Sequence, residues 1–301
     1  QDGFRYSARD LAIVRAQRIK AEVILGSATP SLESLHNAQA GRYRHVRLTQ
    51  RIHAQAPPQI RLLDVRNQAL AHGLAAPMLT ALDRCLEAGD QALLFINRRG
   101  YAPVLLCHAC GWRAACTQCD ARLTLHRGRS RLICHHCGAQ QPVPHGCPSC
   151  GAAELMPLGH GTERIEQALA NRYPRKRIER LDSDRLGRRH ELERLLDDVR
   201  ARKVDVLVGT QILAKGHDFP NLSLVGIVSA DQALYGADFR AIERMGQLVT
   251  QVAGRAGRAG QQGTVLLQTH EPEHPLLRIL VERGYEGLSA ALLAERRDAQ
   301  L

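Results

Sequence analysis

The chain has 301 residues, of which 44% are apolar, so it can bury one or two sizeable cores and is not an intrinsically disordered tail. It shows no cleavable signal peptide and no apolar run long enough to span a bilayer, which excludes the secreted and membrane-spanning classes and makes a cytoplasmic protein the expectation. The formal net charge of +11 favours a polyanionic partner such as nucleic acid, although nearly all the basic residues are arginines and a GC-rich genome would explain the charge equally well.

The first part of the chain, through about residue 76, looks like the end of one domain followed by a connection. Ser7 is predicted to cap a first helix, and Gly26–Ser31 is predicted to turn the chain into a second one. The predicted elements are, in order, a helix over 7–20, a strand over 22–25, a helix ending near residue 41, and strands over 43–48 and 59–65.

From Met78 onward, predicted helices and strands alternate along the chain. Strands separated by helices indicate a parallel sheet with both faces covered, so the predicted fold class is α/β. A last helix is expected from His274 to the end. The other predicted helices cover about 78–87, 162–171, 189–200 and 238–258, and the predicted strands cover 91–96, 177–181, 204–208, 222–229 and 264–268.

Eight cysteines form four Cys-x-x-Cys pairs inside this alternating region. Two residues of spacing let both thiolates of a pair bind one ion, so four pairs supply two tetrahedral zinc sites with no ligand left over. A reducing cytosol disfavours the alternative of a disulfide scaffold. Four thiolates close the zinc coordination shell, which predicts a structural role rather than a catalytic one. The predicted ligands are Cys107, Cys110, Cys116, Cys119, Cys134, Cys137, Cys147 and Cys150.

Four pairs can share two zinc ions in a sequential, an interleaved or a nested way. The run Leu123–Ile133 is strand-like on both sides of Gly128, as in a β-hairpin. Folding this hairpin would bring the second pair beside the third, in the geometry of a zinc ribbon. The hairpin therefore favours nesting, with the first and fourth pairs holding the other ion.

Other side chains of this region have plainer interpretations than metal binding. Eight thiolates already satisfy two ions, so the five nearby histidines are predicted to be solvated. Trp112 could stack on an unpaired base, but filling a small module is the preferred interpretation. Cys85, the ninth cysteine, is predicted to be a buried thiol on a helix. The five histidines are His108, His126, His135, His136 and His145.

Gln251, Arg255 and Arg258 are spaced by four and three residues, which would place all three on one face of a helix. Two guanidinium groups that point the same way can neutralise the charge that builds on a transferred γ-phosphoryl group. Gly254 and Gly257 each disfavour such a helix by about 1 kcal/mol relative to alanine, so close packing would have to offset them. A surface helix that happens to carry arginines is the alternative.

Four segments of the chain, taken together, resemble the motifs of one helicase superfamily. Gln251–Arg258 resembles motif VI of the superfamily-two helicases, Gly26–Ser31 resembles motif III, Val208–Pro220 resembles motif V and Asn97–Tyr101 resembles motif IV. With the four cysteine pairs inserted between two of these segments, the chain resembles the bacterial primosomal replication-restart helicases over essentially its whole length. The resemblance implies a RecA-like lobe with an inserted two-zinc module, preceded by the tail end of a first RecA-like lobe.

The same resemblance implies roles for individual residues. Arg255 and Arg258 would be the catalytic arginine fingers, and Thr29 would couple the nucleotide state to DNA contact. ATP and Mg²⁺ would be cofactors of the intact protein. The residues expected at the nucleotide are Gly216, Asp218 and Gln251, and those expected at the DNA are Phe4, Tyr6, Arg98, Arg99 and Thr210.

Two nucleotide-binding elements do not occur in the sequence. It contains neither G-x-x-x-x-G-K-[ST] nor an adjacent Asp-Glu pair, which would bind phosphates and magnesium. The expectation is a C-terminal fragment that begins just after motif II, lacks the preceding DNA-binding domain and a domain beyond Leu301, and does not hydrolyse ATP alone. The expected domains are the end of lobe 1 (1–50), a linker (51–76), the start of lobe 2 (77–106), the zinc module (107–153), the rest of lobe 2 (154–271) and a helical segment (272–301).

The resemblance implies an intact protein that is an ATP-dependent helicase moving 3′ to 5′ on DNA, recognises stalled or repaired forks and starts primosome assembly. Its expected partners are forked and single-stranded DNA, other primosome proteins and single-strand-binding protein, with no membrane, in the cytoplasm near the nucleoid. The rival hypothesis is a zinc-stabilised scaffold that binds fork DNA and partners without motor activity of its own. A zinc ribbon of the transcription-factor kind is a more distant alternative, because it would not explain residues 251–258.

Overall fold

A computed structural model of the chain describes residues 7–48, 58–96, 105–119, 122–126, 131–134, 136–153, 155–157, 162–181, 189–209, 221–228, 230–234, 239–254 and 262–300. Across these ranges no helix is both long enough and apolar enough to cross a bilayer. The chain divides into two compact units, Gln1–His45 and Val46–Leu301.

The first unit contains two helices that begin at capping serines. Helix α1 spans Ala8–Ile19, and the Ser7 hydroxyl accepts a hydrogen bond from the backbone N–H three residues later. Helix α2 spans Leu32–Gln39, and Ser31 caps it in the same way. Both helices agree with the predictions, which were made from Ser7 for α1 and from the turn Gly26–Ser31 for α2.

Two apolar runs that were predicted to be strands are irregular in the structure. Residues 22–25 and 43–48 have no strand conformation, and Ile24 and Leu48 each expose 95% of their surface. Neither run pairs with a strand among the described residues, so the ladder of hydrogen bonds that defines a strand is missing. These two predictions were wrong because apolar content without a pairing partner does not make a strand.

The strands of the described chain all lie in the second unit. They are β1 (Gln59–Asp64), β2 (Leu70–Ala71), β3 (Leu74–Ala75), β4 (Gln91–Phe95), β5 (Leu105–Cys107), β6 (Thr124–His126), β7 (Arg131–Ile133), β8 (Gln140–Pro142), β9 (Leu155–Pro157), β10 (Ile178–Leu181), β11 (Val206–Gly209), β12 (Leu222–Ile227) and β13 (Thr264–Thr269).

Six of these strands form one parallel sheet, as the α/β prediction requires. Their order is β1-β13-β12-β4-β11-β10, and every neighbouring pair is parallel. The central strands β4 and β11 are buried along their whole length, as expected where both faces of a sheet are covered.

Among the residues that the structure describes in the second unit, five helices accompany the sheet, and four of them match the predicted spans to within a few residues. The exception is α6, which begins later and ends earlier than the predicted 238–258. It ends at Ala253 with Gly254 as its C-cap, because glycine is a poor helix former and often terminates helices. The helices are α3 (Ala76–Glu87), α4 (Thr162–Arg172), α5 (Arg189–Arg200), α6 (Ala241–Ala253) and α7 (Pro275–Asp298).

Helix α7 packs against α6 and contains a kink. Gly284 interrupts it with φ 63° and ψ −164°, a conformation outside the helical region. Gln247 donates a hydrogen bond to the Tyr285 hydroxyl at 3.2 Å. Arg296 forms an ion pair of 3.2 Å with the buried carboxylate of Glu243. The last helix is therefore anchored to the same unit as the sheet.

Residues 59–75, which the sequence prediction placed in a linker, are built into the second unit. Strand β1 is the edge strand of the main sheet, with Gln59 beside Thr264 of β13. The small β2–β3 hairpin follows and is held by Gln268, which donates to the carbonyl oxygen of Gly73 and accepts from the N–H of Ala75, both at 2.9 Å.

The core between α3 and the sheet leaves no room for a side chain at Gly226. A Cβ there would lie 2.5 Å from Leu94 Cδ2 and 2.7 Å from Met78 Sδ, and both side chains are fully buried. We expect Gly226→Ala to lower the free energy of unfolding by about 1–3 kcal/mol through overpacking, measured by chemical denaturation. Gly26→Ala is the matched control, since its Cβ would meet nothing within 4 Å. Equal stability of the two variants would contradict the packing argument.

The insertion between β4 and α4 has small sheets of its own. Strands β6 and β7 pair antiparallel with Thr124 opposite Ile133, which confirms the predicted hairpin, whose tip lies outside the described residues. The sequence did not indicate the third strand, β8. Strands β5 and β9 pair antiparallel at the base, with Leu105 opposite Pro157.

Candidate metal centres

Three of the four cysteine pairs share one local backbone geometry, and a glycine follows each of them. In each pair the carbonyl oxygen of the first cysteine accepts a hydrogen bond from the glycine N–H at 2.9 Å. The N–H of the same cysteine donates to the carbonyl oxygen of the residue that follows the glycine, at 2.7–2.8 Å. Gly111, Gly138 and Gly151 have φ of +79°, +79° and +76°, which favours glycine. Cys-x-x-Cys-Gly is thus a sequence signal for this turn.

Folding brings the eight thiols into two groups of four, and the groups are nested as predicted. Within each group the sulfur atoms all lie within 4.8 Å of one another. The shortest S···S distances are 3.5–3.6 Å. A tetrahedron with Zn–S bonds of about 2.3 Å has edges of about 3.8 Å, whereas a disulfide bond is about 2.05 Å long. The outer group is Cys107, Cys110, Cys147 and Cys150, and the inner group is Cys116, Cys119, Cys134 and Cys137.

Backbone N–H groups favour the thiolate form of one cysteine in each group. The N–H of Cys137, together with that of His136, lowers the pKa of the Cys134 thiol to about 6. Burial acts to raise the pKa of Cys147, but hydrogen bonds from backbone N–H groups, that of Cys150 first, bring this pKa down to about 7. These two thiols are the readiest metal ligands of their groups.

The Cys150 thiol shows why four clustered sulfur ligands need a cation. The backbone N–H of Ala152 acts to lower the pKa of Cys150, but the adjacent thiols raise it to about 12. Four thiolates at these distances repel one another unless a positive ion lies between them. Zinc fits this donor set because it accepts four sulfur ligands in a tetrahedron, which leaves no open position for substrate. The chain therefore has two structural zinc sites.

Apolar packing supports the inner site. Trp112 packs against the buried cluster around the hairpin, which confirms its predicted filling role. The buried members of the cluster are Leu105, Ala114, Leu123, Leu132 and Cys134.

The ninth cysteine lies outside the zinc module. Cys85 is buried on α3, as predicted, and its sulfur lies 3.3 Å from Ser223 Oγ. Burial raises the pKa of this thiol, which suits a core residue rather than a ligand.

The histidines of the module whose side chains the structure describes belong to neither sulfur group. His136 and His145 are exposed, as predicted. His108 is half-buried and was wrongly predicted to be solvated: its Nε2 donates to the carbonyl oxygen of Gln68 at 2.6 Å, and its Nδ1 lies 3.1 Å from Nε2 of His270. His135 and the side chain of His126 lie outside the described residues.

Two of the residues predicted for the motor chemistry have described positions. Thr29 is buried in the first unit, and its backbone N–H donates to Ser27 Oγ at 3.0 Å. Gln251 is exposed in the last turn of α6. The roles of both stay predictions, as do those of the residues outside the described ranges, which are Phe4, Tyr6, Arg98, Arg99, Thr210, Gly216, Asp218, Arg255 and Arg258.

The strands that precede the segments resembling motifs IV and V end on the same side of the sheet. Strands β4 and β11 are adjacent and parallel, and their last residues Phe95 and Gly209 pair with each other. Asn97, the first residue of the motif IV segment, and Thr210, which lies in the motif V segment, follow these two strand ends within two residues. In open α/β sheets, ligands bind outside the carboxyl ends of the strands.

Two buried polar residues that follow strands on this side of the sheet were not predicted from the sequence. Asp231 follows β12 and is 1% exposed, and His270 follows β13 and is 6% exposed. His270 Nδ1 lies 2.8 Å from Asp231 Oδ2. Their positions just after apolar strands were the signal that could have revealed them, since the ends of adjacent parallel strands meet.

Comparison with known families finds two matches in the second unit. Residues 116–142 match the family described as the PriA DNA helicase Cys-rich region domain. Residues 159–260 match the helicase conserved C-terminal domain. The first match contains the inner zinc site, and the second contains strands β10 to β12 and helix α6.

Curated relatives align along the whole chain. The replication restart protein PriA of Haemophilus influenzae is 48% identical over 301 residues, which are 100% of this chain and 41% of the relative. The replication restart protein PriA of Bacillus subtilis is 41% identical over 298 residues, which are 98% of this chain and 37% of the relative. The chain thus spans about two-fifths of the length of these relatives. Among solved structures, Saccharomyces cerevisiae Dbp5 bound to RNA and ADP BeF3 is 14% identical with a TM-score of 0.45, covering 95% of this chain and 53% of that one.

Proposed function

The chain belongs to the PriA family of replication restart proteins, and on that basis we propose that it supplies the second motor lobe and the zinc module of an ATP-dependent DNA helicase. The intact protein moves 3′ to 5′ on DNA, recognises stalled or repaired replication forks and starts primosome assembly. It binds ATP and Mg²⁺, works in the cytoplasm near the nucleoid, and has forked and single-stranded DNA, other primosome proteins and single-strand-binding protein as partners.

The observation that carries this proposal is the point at which the zinc module is inserted into the chain, between β4 of the main sheet and α4. Both cysteine groups lie in the insertion that follows β4, the central strand of a sheet whose later strands match a helicase C-terminal domain. A zinc module alone would support many binding functions, and a parallel sheet alone would support many enzymes. Their combination within one compact unit supports a motor lobe that carries a rigid module.

The proposed roles of individual residues follow the motif pattern. Arg255 and Arg258 neutralise charge on the transferred phosphoryl group, and Gln251 helps to hold the nucleotide. Thr210 and the basic pair Arg98 and Arg99 contact the DNA backbone. The shared edge from which the motif IV and V segments leave β4 and β11 supports placing both segments near one ligand.

Strand displacement with the full-length protein tests the proposal. We expect unwinding that requires ATP and a 3′ single-stranded loading strand, together with ATP hydrolysis that DNA stimulates. The 301-residue chain alone is the control. We propose that it shows no DNA-stimulated turnover, since its sequence contains neither the phosphate-binding loop nor the magnesium-binding acidic pair.

The same assay distinguishes the alternative function. A basic chain with two closed zinc sites also suits a scaffold that binds fork DNA and partner proteins without a motor. Tight fork binding by the full-length protein without any ATP-dependent unwinding would favour that scaffold and contradict the motor proposal.

A further inference from the structure

His108, in the turn of the first cysteine pair, is hydrogen-bonded to the segment that follows β1. The carbonyl oxygen of His108 accepts from the N–H of Asn67 at 3.2 Å, and its Nε2 donates to the carbonyl oxygen of Gln68 at 2.6 Å. His108 lies between Cys107 and Cys110, so the metal-binding turn itself is fastened to the segment that follows β1. The residue is thereby placed at the boundary between the zinc module and the main sheet.

The other nitrogen of the His108 ring contacts a histidine that follows strand β13 of the main sheet. His108 Nδ1 lies 3.1 Å from His270 Nε2, and the two rings meet edge to face with centroids 5.4 Å apart. His270 Nδ1 lies 2.8 Å from Asp231 Oδ2, which also accepts from the backbone N–H of His270 at 2.9 Å. The Thr269 hydroxyl donates to the other carboxylate oxygen. We call His108, His270 and Asp231 the relay.

A second polar contact, between a buried arginine and a partly exposed glutamate, lies beside the relay. Arg113, which is 8% exposed, forms an ion pair of 2.9 Å with Glu271. A Cβ at Gly111 would lie 3.4 Å from the carbonyl oxygen of His270, so the backbone of the metal-binding turn approaches the end of β13 closely. Buried polar groups are costly to leave unpaired, so these contacts restrict the module to one arrangement on the sheet.

The relay ends at the carboxyl ends of the sheet strands, on the side where the proposed motif IV and motif V segments begin. Asp231 lies in the short 3-10 turn Ala230–Ala233 that follows β12, and β12 lies between β4 and β13. Ile227, the last residue of β12, pairs with Phe95 at the end of β4. The relay therefore connects the strand ends next to the motif IV and V segments with the outer zinc site.

We propose that His270 and Asp231 are positioning residues that couple the zinc module to the motor lobe. Hydrogen bonds between buried groups have two discrete states, made or broken, and such elements transmit small displacements between packed parts of a protein. A movement of the strand ends during the ATP cycle reaches the outer zinc site through the relay and turns the module against the DNA. This inference rests on the proposed helicase function and adds to it the route of coupling.

Two substitutions break the relay at its central contact while keeping its ends satisfied. In His270→Asn the amide nitrogen replaces Nδ1 and can still donate to Asp231, but the side chain no longer reaches His108. In His108→Gln the amide nitrogen replaces Nε2 and can still donate to the carbonyl oxygen of Gln68. His136→Gln is the matched control, because His136 is also a histidine inside a cysteine pair but is exposed.

The experiment measures unwinding rate, DNA-stimulated ATP hydrolysis and zinc content of these variants in the full-length protein. We expect His270→Asn to lower the unwinding rate about tenfold while hydrolysis stays within about twofold and both zinc ions remain. Adding His108→Gln should cause no further loss, since both changes remove one contact. The His136→Gln variant should match the unsubstituted protein.

The contrary outcomes are separate from one another. Unchanged unwinding by His270→Asn would overturn the coupling role. A parallel fall in unwinding and hydrolysis, or loss of zinc, would also overturn it, because either result would show that the relay only maintains the fold. Absence of ATP-dependent unwinding in the unsubstituted protein would instead refute the proposed function, and with it this inference.

Discussion

Substitution of Cys134 by serine is expected to leave one zinc ion per chain where the unsubstituted chain holds two. Cys134 is a buried ligand of the inner group, and its thiol ionises readily because backbone N–H groups lower its pKa to about 6. A serine hydroxyl does not supply the thiolate that zinc needs, and a structural zinc site contributes on the order of 10 kcal/mol to the folding of its module. The inner site should therefore lose both its ion and its local structure.

The outer ion should remain, because its four ligands come from segments that flank the inner site. Cys107 and Cys147 anchor turns that have their own backbone hydrogen bonds, and these do not involve the hairpin. Elemental analysis of the purified variant gives the stoichiometry, and proteolysis reports whether residues 116–137 have become accessible.

Cys85→Ala is the matched control for this substitution. It removes the ninth cysteine, which is buried in the core and belongs to neither sulfur group. Both zinc ions should remain in this variant, with a modest loss of stability from the missing sulfur. Two ions in Cys134→Ser, or fewer than two in Cys85→Ala, would contradict the assignment of ligands.

Replacing Arg255 by alanine in the full-length protein should reduce ATP hydrolysis by about 10³-fold or more, with unwinding lost in parallel. An arginine finger acts on charge that exists only in the transition state, so its removal affects turnover more than nucleotide affinity. The measurements are the steady-state hydrolysis rate on single-stranded DNA and the dissociation constant of a non-hydrolysable ATP analogue. We expect the rate to fall and the dissociation constant to change by less than about tenfold.

Arg244→Ala provides the control for this prediction. Arg244 is an exposed arginine on α6, within the same helix as Gln251. Its removal changes the net charge by the same amount, so a general effect of charge on DNA binding would appear equally in both variants. Comparable hydrolysis rates in the two variants would remove Arg255 from the proposed machinery.

The features that could be predicted from sequence depend on neighbours close along the chain. The capping serines Ser7 and Ser31 mark helix starts because the hydrogen bond they accept comes from a residue three positions later. The Cys-x-x-Cys pairs identify ligands for the same reason, and the hairpin around Gly128 was enough to favour nesting over the other pairings. The central strand β4 was evident from its continuous apolar run.

Features that depend on distant partners were missed or wrongly predicted. Residues 22–25 have the composition of a strand but pair with no strand among the described residues, whereas the predicted strand at 59–65 is confirmed as β1 because β13 lies beside it. One wrong prediction had a local cause instead: helix α6 was predicted to continue through Arg258, but it ends at Ala253, immediately before Gly254.

The sequence by itself determined the family pattern, the α/β class and the eight metal ligands, since each rests on short-range spacing. The sequence favoured nested zinc sites, but only the tertiary structure decided between this and the other two pairings, and only it showed that the module contacts the sheet through His108 and His270. These two histidines are 162 residues apart, and nothing local to either one specifies the other. Their contact exists because β1 and β13 are parallel neighbours, so the segment after β1 that holds His108 lies beside His270 at the carboxyl end of β13. Buried polar groups there must find partners among the residues that the fold brings together.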